Sequence, residues 1–83
     1  MKERTGWIIQ RPDPEDVLYG IFLGVSDAGA LAWFPIPEDG LRFARKQDAE
    51  AFIRLAHTFS NLEGLRPGDP RPIVAERTWR CAP

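Results

Sequence analysis

An α+β fold is expected for this chain: a small antiparallel sheet of four or five strands with one amphipathic helix packed on one face. Three observations lead there. Residues 46–59 carry apolar side chains at helical spacing, and no other segment does. Residues 18–26, LYGIFLGVS, alternate between one set of large side chains and another, as a strand with two distinct faces would. Turn-forming residues, Asp27-Ala28-Gly29 and Asp39-Gly40, separate short runs of β-forming residues. The element order reads ββββαβ. No parallel crossover is needed, so one helix lying on one sheet is the simplest packing.

The first strand is expected at Gly6–Arg11, stopped by Pro12. A turn-rich acidic loop, residues 12–16, leads into the second strand at Leu18–Ser26. There Tyr19, Ile21, Leu23 and Val25 share one face, with Gly20, Phe22 and Gly24 opposite. Gly29 supplies the positive φ of a tight hairpin turn. The third strand, Ala30–Ile36, carries Trp33 and Phe34 on opposite faces. A short fourth strand is expected at Leu41–Ala44.

The helix should run from about Lys46 to Phe59. At 100° per residue, Ala49, Phe52, Ile53, Leu55, Ala56 and Phe59 fall within an arc of roughly 160°, a core-facing stripe. Arg45 or Lys46 stands where a good N-cap would be Ser, Thr, Asp or Asn. Asp48 offsets this through its charge against the helix dipole. Residues 60–72 read as an irregular surface connection, with Gly64 as the helix terminator. The last strand is Ile73–Arg80, with Ile73, Ala75, Arg77 and Trp79 on one face.

Eighty-three residues make a single compact domain, residues 1–83. One cysteine, Cys81, excludes an intrachain disulfide, and one Cys with one His, His57, cannot assemble a zinc site. No cofactor is expected. The chain has neither a signal-peptide pattern nor a membrane-length apolar run, so a cytoplasmic protein is the expectation. The net charge is −1. That balance disfavours nucleic acid as the partner.

A helix of about 14 residues is only ~21 Å long and ~10 Å wide. It covers one face of a small sheet, whereas large side chains occupy both. Trp7, Trp33, Phe34 and Trp79 are therefore candidates for an aromatic partner-binding surface on an uncovered sheet face. In an up-and-down meander alternate loops lie at the same end. Asp13, Glu15, Asp16, Glu38 and Asp39 should then gather into one acidic end, a second candidate surface, suited to a basic partner.

Catalytic chemistry finds no support. His57 lies at the edge of the apolar stripe, and no nucleophile-elbow pattern surrounds Ser26 or Ser60. Catalytic and metal sites are both expected to be absent. Three non-enzymatic readings stand: a protein-binding inhibitor or adaptor, a small nucleic-acid-binding regulator using the aromatic face, and a homodimeric structural subunit.

The run GWIIQ, FLGVSDAGALAWF, RFARKQDAEAFIRLA, IVAERTW resembles small phage- or mobile-element-encoded proteins, and in length and layout is similar to some anti-CRISPR proteins. That resemblance implies stoichiometric inhibition, with the chain occupying a basic DNA-binding or nuclease-recruitment surface on a CRISPR effector subunit. Asp13, Glu15, Asp16, Glu38 and Asp39 would be the side chains that compete there.

Overall fold

A computed structural model describes residues 2–15 and 19–81, with side chains for all of these except Lys2, Glu3, Phe59, Trp79, Arg80 and Cys81. The described residues form one four-stranded antiparallel sheet and one α-helix. The strands are β1 (Lys2–Pro12), β2 (Gly20–Val25), β3 (Leu31–Phe34) and β4 (Ile73–Cys81), and the helix is α1 (Lys46–Phe59). The spatial order is β3-β2-β1-β4, so the last strand pairs with the first. Among the described residues no helix is long and apolar enough to cross a membrane.

The β2–β3 hairpin closes as its residues dictate. Gly29 takes φ 81°. Ser26 N–H donates to the Ala30 carbonyl at 2.8 Å, and Ala30 N–H donates to the Ser26 hydroxyl at 3.3 Å. The register places Leu23 opposite Trp33 and Phe22 opposite Phe34.

The helix lies on the face that carries Ile9, Leu23, Trp33 and Val74. Its Ala49, Ile53 and Ala56 join Ile9, Leu23 and Leu65 in the main core, with Trp7, Phe43 and Phe52 partly buried against it. Leu55, expected in the stripe, is instead 63% exposed. It sits at the border of the arc, beyond the reach of a narrow sheet. Arg45 at the N-cap makes no capping bond. Its guanidinium grips the Asp48 carboxylate through two N–H donors at 3.0 and 2.9 Å.

The opposite sheet face, expected to lack a lid, is covered in part, over β2. After β3 the chain turns at Pro35, forms a 3-10 turn at Pro37–Asp39 and folds back across that face over Gly24. Ile8 and Phe22 are buried beneath, with Ala75 beside them, and the Arg77 guanidinium lies 5.6 Å from the Phe22 ring centroid.

The chain then passes through the sheet. β1 and β2 pair only over Gln10–Pro12 and Gly20–Phe22. Below that they part, and residues 41–43 fill the gap. Leu41 N–H donates to the Leu23 carbonyl on one side, and Phe43 exchanges two 2.8 Å bonds with Trp7 on the other. The short fourth strand expected at Leu41–Ala44 is thus a single bridge, Trp7–Phe43, because the gap admits no longer ladder. The passage delivers Phe43 to the helix side, where its ring meets Phe52 at 5.5 Å.

Candidate protein-docking groove

Residues 60–72 were expected to be an irregular surface connection, and they contain neither helix nor strand. They are nevertheless tied together and cover the helix-side face next to α1. The helix ends at Phe59, before the expected terminator Gly64, and Ser60 takes its C-cap with N–H donating to the Ala56 carbonyl. Leu65 is fully buried in the main core, and Leu62 packs against it. The Ser60 hydroxyl accepts from Leu62 N–H at 3.1 Å.

The centre of this structure is the Glu63 carbonyl. It accepts the Trp33 indole N–H at 2.6 Å and an Arg11 guanidinium N–H at 3.1 Å. Arg11 also lies 5.5 Å from the Trp33 ring centroid. Charge, ring face and carbonyl thus fix one another, with donors from β1 and β3 meeting one acceptor of the loop. Gly64 follows with φ 88°, and a Cβ there would stand 2.6 Å from Arg11 Nη1. Only glycine meets both conditions.

Asp69 closes the loop. Its carboxylate accepts from Gly64 N–H at 2.9 Å and from Arg66 Nε at 3.1 Å. The Gly64 bond first, and the Arg66 bond and charge after it, hold the Asp69 pKa below its ordinary value.

Where this loop meets the ends of β1, β2 and β4, a groove of about 710 Å³ opens. Tyr19 and Ile73 line it, 67% and 57% exposed, one beside the start of β2 and the other at the start of β4. Pro12, Pro14, Pro70 and Pro72 supply stiff apolar walls. Its charges balance: Arg11, Arg66 and Arg71 against Asp13, Glu63 and Asp69. A groove of mixed sign with exposed phenol and aliphatic surface has no bias towards polyanions. It suits a protein segment of apolar and polar side chains. Sequence reasoning missed this groove, although Tyr19, Ile73 and the proline-rich run at 67–72 were its visible signals.

Asp13 and Asp39 do not share one end. Asp13 lies at the groove, with its N–H bonded to the Tyr19 carbonyl and its side chain accepting from Glu15 N–H at 2.9 Å. The 3-10 turn containing Glu38 and Asp39 doubles back, so that Asp39 rests over Gly24, several residues down β2 from Tyr19. The lid carries these two acids away from the end that a simple meander would give them.

The aromatic set divides in the same way. Trp7 and Trp33 are half-buried on the helix side, Trp7 with Lys46 Nζ 5.9 Å from its ring centroid. Phe34 lies on the opposite face, across from Phe22. Consecutive strand residues must point to opposite faces, so Trp33 and Phe34 cannot serve one surface. The expectations placed on Asp16 and on the Trp79 ring fall outside the described residues. No family model, curated protein or solved structure matches the chain.

Proposed function

We propose that this chain is a non-enzymatic protein-binding domain acting as an inhibitor or adaptor. Its most concrete form is an anti-CRISPR-like protein that occupies a surface on a CRISPR effector complex. One observation carries the protein-binding reading: exposed Tyr19 and Ile73 flank a proline-walled, charge-balanced groove at the end of the sheet. Exposed apolar side chains grouped at a concave site are what a docking partner buries. Asp13, which lines the groove, would meet a basic side chain of that partner. Stacking nucleic-acid bases is a poorer fit, since Trp33 has its indole N–H bound to Glu63 and Arg11 against its ring.

The test mixes the purified chain with purified CRISPR effector complexes and follows both complex formation and target-DNA binding by the effector. Binding with loss of DNA binding is expected, weakened at least tenfold by Tyr19→Ser together with Ile73→Ser, a hot-spot-sized effect. Unchanged affinity in that double variant overturns the groove as the docking surface. Absence of binding to any effector overturns the anti-CRISPR form, and retention of nucleic acid alone overturns the protein-binding reading.

A further inference from the structure

The two edges of the sheet differ. β3 is four residues long and is followed by Pro35 and Pro37, which blunts that edge. β4 runs nine residues without a proline. Its ladder with β1 is continuous from Lys2–Cys81 to Gln10–Ile73, with no bulge to twist the edge away.

The hydrogen bonds of β1 show which β4 groups face outward. Trp7 uses both its N–H and its carbonyl on Phe43, on the β2 side. The Trp7–Glu76 pair is therefore not hydrogen-bonded, and the Glu76 N–H and C=O point away from β1. By alternation Val74 and Thr78 do the same. Among the described residues no further strand pairs with this edge.

We propose that β4 pairs antiparallel with β4 of a second copy, giving a two-fold symmetric dimer with one continuous eight-stranded sheet. This inference rests on the strand edge and not on the proposed docking groove, with which it shares Pro72 and Ile73. Three two-fold registers centre on neighbouring residues, and charge separates them. Centring on Glu76 sets two carboxylates face to face, and centring on Arg77 sets two guanidinium groups face to face; both are destabilising. Centring on Ala75 places Val74 opposite Glu76 of the second copy and Ile73 opposite Arg77 of the second copy. The exposed Ile73 then gains the aliphatic stem of an arginine as cover.

In that register Val74 and Glu76 of the second copy exchange both backbone bonds. Thr78 N–H reaches the carbonyl of Pro72 in the second copy, which needs no donor of its own. The blunted β3 edges end the assembly at two copies. The strand contact alone is smaller than the ~800 Å² per partner of a standard interface, so the dimer should be weak and concentration-dependent.

Glu76→Pro tests this cleanly, because it removes an N–H that points away from β1 and takes no part in the β1–β4 ladder. By light scattering the wild-type mass should rise from 9.4 kDa towards twice that value as concentration increases. The Glu76→Pro variant, with unchanged far-ultraviolet circular dichroism, should stay at 9.4 kDa throughout. A wild type that remains monomeric at every concentration overturns the proposal, as does a folded Glu76→Pro variant that still dimerises. If Glu76→Pro does not fold, Ala75→Cys in a Cys81→Ser background decides. The two Ala75 positions form a non-hydrogen-bonded pair about 4.5 Å apart, within disulfide reach. Oxidation should give a covalent dimer, and its absence overturns the Ala75-centred register.

Discussion

The carbonyl oxygen of Asp39 lies 2.5 Å from the point where a Cβ on Gly24 would stand, with the Phe34 ring carbons 2.7 and 2.8 Å away. The 3-10 turn can rest on the sheet only because β2 has no side chain there. A strand glycine that met open space would gain about 0.5–1 kcal/mol on replacement by alanine. Here the sign should reverse. Gly24→Ala is expected to cost about 1–3 kcal/mol in urea unfolding, since backbone must move to admit the methyl group. Lifting of the turn from Phe22 should also appear as increased binding of a hydrophobic dye. Stabilisation by Gly24→Ala would show that the turn does not bear on the sheet.

Gly64 faces two constraints at once, a positive φ and the Arg11 side chain. Gly64→Ala should cost roughly 1–2 kcal/mol from the left-handed backbone alone. The contact with Arg11 adds to that. In an Arg11→Ala background only the backbone part remains, so the same substitution should cost less. Equal costs in both backgrounds, measured by denaturant unfolding, would show that Arg11 does not fill the space beside Gly64.

The helix and its limits were legible because a 3.6-residue period over fourteen positions admits little else. Leu55 misled because periodicity gives an angle, not the width of the surface that the helix meets. Strand order was not legible: the partner of Thr5 is Thr78, and no local pattern specifies a pairing so distant in sequence. The lid was hidden for a related reason. The strand pattern placed Gly24 on the Phe22 face and no more, whereas its role is set by Asp39 through tertiary contact. Without that contact, Glu38 and Asp39 stayed assigned to the end where Asp13 lies. In the post-helix loop the polar and proline-rich composition outweighed two visible anchors, Leu62 and Leu65, three residues apart. The groove followed from that loop and was missed with it.

Trp33 and Arg11 share one acceptor, and this gives a specific expectation for their separate removal. Trp33→Phe keeps a ring beneath Arg11 and leaves the Glu63 carbonyl with its Arg11 bond, so the acceptor keeps a protein donor. The lost bond should therefore cost only about 0.5–1.5 kcal/mol, beyond the effect of the smaller ring. Arg11→Ala leaves the Trp33 bond intact. The double variant removes both donors, and its cost should exceed the sum of the single costs by at least ~0.5 kcal/mol. Simple additivity in this cycle would mean that the two donors do not share the carbonyl.

Asp69 gives the loop a dependence on acid. Bonds from Gly64 N–H and Arg66 hold its carboxyl below the ordinary value of 3.8, so the folded state favours the ionised form. A group depressed in this way contributes stability above its unfolded pKa and loses it as pH falls through the folded value. Wild type should accordingly be more stable than Asp69→Asn at neutral pH. Asparagine can still accept from Gly64 but carries no charge for Arg66. The difference should hold down to the region of 3.8 and shrink as the pH drops below it. Thermal unfolding of both proteins from neutral pH to pH 2.5, on the order of two pH points per unit, follows the two curves until they converge. Parallel curves across the whole range would show that the Asp69 charge does not hold the loop.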